Sequence, residues 1–90
     1  MAPESPRSVH EELPRHGGWV RELARSLVRD EARADDVAQQ AALAALRDPR
    51  ATSAALGPWL ARVTRNFARK DWRGEKRRHE RERVVARPEG

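Results

Sequence analysis

The chain has 90 residues, 37% of them charged and 38% hydrophobic, whereas an ordinary soluble domain is about one quarter charged. One small domain with four aromatic side chains (Trp19, Trp59, Phe67 and Trp72) offers little material for an enclosed cofactor or substrate pocket, so an enzyme is disfavoured. The net charge is +5 and unevenly spread: residues 1–56 hold 8 basic and 9 acidic groups, residues 57–90 hold 11 and 5, which suggests one surface for protein and another for a polyanion.

Residues 1–12 contain two prolines and much polar character and read as a loose leader. Ser8 to Glu11 fits a capping box, a common pattern that here starts a short turn. Leu13-Pro14 marks the first helix, because proline is tolerated in a first turn, where its missing N–H has no partner to lose. Trp19, Val20, Leu23, Ala24, Leu27 and Val28 then form one apolar stripe ending near Arg29. A second, alanine-rich helix is predicted from about Ala32 to Arg47, headed by acids that suit the positive end of its dipole. Asp48-Pro49 ends it. Residues 48–57 read as a connection with one turn of helix at most, and Gly57-Pro58 opens a third helix. Its buried arc is Trp59, Leu60, Val63 and Phe67, and it runs to Trp72 or beyond, with Gly74 as an interruption. Glu75 to Arg83 reads as frayed helix or solvated coil. The predicted organisation is a leader (1–12), a helical domain (13–80) and a linker or disordered tail (81–90). No alternating period or hairpin signal is present, so the fold class is all-α, a small three- to four-helix bundle.

Two helix faces carry chemistry. On the second helix Asp36, Gln39, Gln40, Leu43 and Arg47 share one side. A large apolar residue among polar ones suits docking onto another protein; the plainer reading is a solvated face with one stray leucine. On the third helix Arg62, Arg65, Arg69 and Arg73 recur opposite the buried arc, Asn66 flanks them, and Lys70, Lys76, Arg77 and Arg78 extend the positive charge. Such a row can track phosphates while Asn66 offers donor and acceptor to a base edge, against the alternative of a solvated basic face partly offset by Asp71, Glu75, Glu80 and Glu82. Trp72 lies off the buried arc and either stacks on a base or packs against the bundle, with packing preferred.

Catalytic constellations are missing. The chain has no Cys, so disulfides, thiolate zinc sites and a redox couple are excluded. His10, His16 and His79 lack ligand spacing, no glycine-rich phosphate loop occurs, and Asp35-Asp36 reads as helix-start chemistry. No metal, cofactor or membrane segment is expected, and a cytoplasmic location is the default.

The segments DDVAQQAALAALRDP (35–49) and WLARVTRNFARKDWRGEKRR (59–78) resemble region 2 of bacterial sigma factors of the extracytoplasmic-function group, within the sigma-70 family. That pattern has an Asp-hydrophobic-x-Gln helix, then Trp-Leu followed by Asn and an Arg-rich end, and the likeness covers about residues 16–80. The resemblance implies a domain that initiates transcription. Its Asp/Gln helix would dock on the clamp helices of the RNA polymerase β′ subunit through Asp36, Gln39 and Gln40, with Leu43 and Arg47 added by the face they share. The next helix, and a loop at Arg73 to Lys76, would engage the −10 promoter element, flipping out a non-template base near Asn66. An anti-sigma factor is a further partner the family admits. The sequence departs from the pattern at Gln40, where the family commonly has an acid, and at Ala42, where a large aromatic is frequent. A complete sigma factor of this group continues into a second helical domain that reads the −35 element, for which ninety residues leave no room; the chain is a fragment or lacks that domain. The competing interpretation from the residues alone is a helical adaptor or regulator whose basic third helix binds RNA or an acidic protein.

Overall fold

A computed structural model of the chain describes the backbone of residues 8–85 and side chains through residue 82. Among the described residues the elements are α1 (Val9–Leu27), α2 (Glu31–Arg47), a 3-10 turn (Ser53–Ala55) and α3 (Leu56–Val85), with no strands. The three helices pack pairwise, each against both others, as the all-α prediction requires.

α1 begins four residues before the predicted Leu13. Ser8 is its N-cap, its hydroxyl accepting from the Glu11 N–H at 3.2 Å, so the capping pattern opens the whole helix rather than a short turn. The gain from starting early is apolar: Val9 and Leu13 both pack against the main core cluster. Pro14 consequently sits in the sixth position instead of the first turn, leaving the His10 carbonyl without its usual helical donor. The remainder of the predicted leader, residues 1–7, lies outside the described residues.

α2 starts where Asp30 caps it, the carboxylate accepting from the Arg33 N–H at 3.0 Å. It ends at Asp48, whose side chain accepts from both the backbone and the guanidinium of Arg50. Those hydrogen bonds hold the Asp48 carboxyl below the usual carboxylate range. Ala34, Val37, Ala41 and Ala45 form the buried stripe of α2, and their short side chains let the neighbouring helices come close. The core they meet has two parts. One gathers Val20, Leu56, Trp59 and Leu60 around Ala41 and Ala45; the other gathers Ala24, Val28 and Ala68 around Ala34 and Val37. Thr64 is fully buried on α3 between Leu60 and Ala68, and its hydroxyl has no hydrogen-bond partner. Alanine at position 42 is paired with a cleft of about 360 Å³ between α1 and α2, lined by Leu13, Gly17, Ala38, Ala42 and Leu60, with Gln39 at its edge.

α3 runs beyond Trp72 as expected, but Gly74 does not interrupt it: the helix is unbroken through Glu75 to Val85, so no loop forms at 73–76, and of the two readings of Glu75 to Arg83 the helical one holds. Arg81 to Val85, assigned to the tail, continue the same helix, and residues 86–90 lie outside the described residues. A glycine inside a helix costs about 1 kcal/mol relative to alanine, and a tie from α2 offsets it. Arg33 donates from Nε to Asp71 Oδ1 at 3.2 Å, forms a second contact from its terminal nitrogen to Asp71 Oδ2, and reaches Glu75 at 3.3 Å. Asp71 and Glu75 are one turn apart on either side of Gly74, so the guanidinium clamps the weak turn. The same hydrogen bond raises the Arg33 pKa above its already high ordinary value, against a smaller opposing effect of burial.

Candidate nucleic-acid and protein interfaces

The α2 face is exposed as predicted. Asp36, Gln39, Gln40, Leu43 and Arg47 all reach solvent, and Leu43 keeps 43% of its surface exposed. Gln40 donates from Nε2 to Asp36 Oδ2 at 2.9 Å across one helical turn, so the amide that replaces an acid in this pattern fixes the orientation of the carboxylate beside it. Leu46, expected on the small-residue side, is 39% exposed and widens the apolar part of this surface. On the α1 side of the helix, Arg21–Asp35 (3.4 Å) and Arg25–Glu31 (3.5 Å) pair exposed side chains across the helix junction. Asp35 is thereby engaged within the fold, whereas Asp36 faces outward.

The α3 face carries Arg62, Arg65, Asn66, Arg69, Lys70, Arg73, Lys76, Arg77 and Arg78, every one of them exposed. Among the described residues Arg62, Arg65, Arg69 and Arg73 form no ion pair, and of the basic residues on this face only Arg78 does, with Glu75 at 3.1 Å. Asp71, expected to offset the row, is instead turned to Arg33, and Glu75 is shared between Arg33 and Arg78. The row is therefore more strongly positive than composition suggests. Because α3 is continuous through Gly74, Arg62 to Lys76 span roughly 21 Å along one side of it at 1.5 Å per residue. Lys70 and Lys76 lie over aromatic rings, 5.5 Å from the centroid of Phe67 and 5.4 Å from that of Trp72, within cation–π range.

Trp72 is the main correction at the site. Packing was the preferred expectation, yet 60% of its surface is exposed; α2 reaches this part of α3 through Arg33 to Asp71 and Glu75, without covering the indole. Leu27 and Trp19, counted in the apolar stripe of α1, are 43% and 36% exposed; only Val20, Ala24 and Val28 of that stripe are buried. Trp19 instead donates its indole N–H to His16 Nδ1 at 2.9 Å. Arg33 is the functional support that sequence reasoning missed. Its partners are 38 and 42 positions away, and no periodicity links an arginine on one helix to carboxylates on another.

Among the described residues no three metal-binding side chains come together, and no helix is long and apolar enough to cross a membrane. The chain matches the family model for sigma-70 region 2 over residues 14–78, which takes in both faces and the Arg33 clamp. No curated protein and no solved structure matches it. Region 2 is a transcription-factor domain rather than a catalytic one; its role is in transcription initiation, and the family implies core RNA polymerase and promoter DNA as partners. With nearly three quarters of its length inside that match, the chain belongs to the sigma-70 region 2 family.

Proposed function

We propose that this chain is the polymerase-binding, promoter-melting domain of a sigma factor of the extracytoplasmic-function group. α2 docks on the β′ clamp helices through Asp36, Gln39, Gln40, Leu43 and Arg47, and α3 holds the non-template strand of the −10 element. What carries this reading is the unpaired arginine row on α3 together with a separate, exposed face of mixed polarity on α2. A strand lying along that row meets guanidinium groups at about one helical turn intervals, which supplies affinity without sequence preference. Sequence preference needs a group that reads a base edge, and Asn66 on the flank of the row has the donor and acceptor to do so. Because residues 73–76 are helical, the strand is met by a rigid helix face.

Binding of short single strands that carry or lack the −10 sequence, measured across a salt series, separates these roles. Asn66→Ala is expected to reduce the preference between sequences while leaving the salt slope unchanged. Arg69→Ala should weaken all strands alike and make the slope shallower by about one counterion. An Asn66→Ala variant with unaltered base preference removes Asn66 from the reading role, and an unchanged slope for Arg69→Ala removes the row from the phosphates.

A further inference from the structure

We infer that the cleft between α1 and α2 receives one large uncharged side chain, aromatic or branched aliphatic, from the polymerase surface on which α2 docks, so that α1 shares in the docking as the far wall of the cleft. The inference rests on the docking reading above and carries that interface beyond the outer face of α2.

The cleft measures about 360 Å³. Its space comes from small residues on both walls: Gly17 on α1, and Ala38 and Ala42 one turn apart on α2. A Cβ added at Gly17 would meet nothing within 4 Å, and Ala38 and Ala42 are only half-buried, so the opening reaches solvent. Leu13, Val20 and Leu60 complete the apolar lining, and the last two belong to the core, which gives the cleft an apolar floor. A closed cavity of about 150 Å³ holds a benzene ring, so this open one has room for a side chain as large as phenylalanine or leucine.

Charge and position select the occupant. Arg21 and Asp35 line the cleft but pair with each other at 3.4 Å, and the remaining polar lining residue, Gln39, is neutral. An ionic ligand therefore finds no unpaired countercharge there, whereas an apolar group finds a floor to cover. The cleft is also continuous with the proposed docking face. Gln39 belongs to both, and the row Ala38, Ala42, Leu46 leads along α2 from the cleft to a leucine that is 39% exposed, near Leu43 at 43%. A partner helix lying over Leu43 and Leu46 is thus carried past the mouth of the cleft. An anchor side chain filling a pocket beside flatter contacts is the usual anatomy of a protein interface. A free small molecule in the same place would leave both leucines uncovered.

The test measures capture of core RNA polymerase by the full chain and its variants, with circular dichroism as the folding control. Gly17→Leu fills the cleft from the α1 wall, outside the α2 face, and leucine is the better helix former; Ala42→Phe fills it from the α2 wall. Both are expected to keep their helicity and to bind polymerase about tenfold or more weakly. Gly18→Leu is the matched control: it makes the same exchange one residue along α1, at a position that does not line the cleft, and is expected to bind as the unsubstituted chain does. Where one filling substitution costs helicity, the other decides. Equal binding by Gly17→Leu and Gly18→Leu overturns the inference, as does a folded Ala42→Phe that binds unchanged. If Leu43→Asp alone abolishes binding, docking through the outer face of α2 stands without the cleft; if the unsubstituted chain does not bind polymerase, the docking reading falls and the cleft with it.

Discussion

Leu60→Ala is expected to lower the unfolding free energy by about 2–5 kcal/mol, in the upper half of that range. Leu60 is fully buried and packs in the cluster formed by Val20, Ala41, Ala45, Leu56 and Trp59. The cost of removing a buried leucine depends on how far the neighbours can close the space left behind. Here two of them are alanines with no rotamer to change, and Leu60 already borders the cleft beside Ala42, so little collapse is available. A chain of 90 residues has about 5–13 kcal/mol in total, at roughly 0.05–0.15 kcal/mol per residue, and the substitution removes a large share of it. Urea unfolding followed by far-ultraviolet circular dichroism reads the change directly. A loss under about 1 kcal/mol would show that α3 is not anchored through this side chain.

Leu43→Asp is expected to leave the fold intact and to remove binding to core RNA polymerase. Leu43 is 43% exposed, so its replacement opens no cavity, and a surface change of this kind shifts stability by about 0.5 kcal/mol or less. At an interface the same side chain would be the apolar centre of a ring made by Asp36, Gln39, Gln40 and Arg47. Placing a carboxylate there demands its desolvation, at a cost of about 2–4 kcal/mol, or roughly 30- to 1,000-fold in affinity. Affinity capture of core polymerase by the variant, with circular dichroism as the folding control, separates the two outcomes. A folded variant that still captures polymerase removes α2 from the docking role; a variant that loses helicity makes Leu43 part of the core.

The boundaries of α2 and the start of α3 were legible because the signals are local. The second helix, predicted from about Ala32 and ended by Asp48-Pro49, is Glu31–Arg47, and Gly57-Pro58 marks the next to within two residues. Face assignments were legible too, since residues counted at about 100° apart on the outer sides of α2 and α3 are exposed where they were expected to be. What failed depended on contacts between elements. The early start of α1 is stabilised by Val9 and Leu13 meeting a core that only the assembled bundle creates, whereas Pro14 gave a strong local signal for a later start. The continuity of α3 across Gly74 rests on Arg33, Asp71 and Glu75, an arrangement that helix propensity does not contain. Trp72 was ambiguous for a similar reason: the buried row of α3 is Leu56, Leu60, Thr64 and Ala68 rather than the predicted arc through the half-buried Val63 and Phe67, and Trp72 continues that row at the next turn, where 60% of it is left exposed.

The measurement that bears most directly on the two-face account is a three-component one: the full chain, core RNA polymerase and a labelled −10 non-template single strand. The account predicts that the chain joins polymerase in the absence of DNA, that the labelled strand is retained only when the chain is present, and that raising the salt concentration releases the strand before it releases the chain. Retention of the strand by the polymerase alone, or a chain that joins polymerase only when the strand is added, would contradict it.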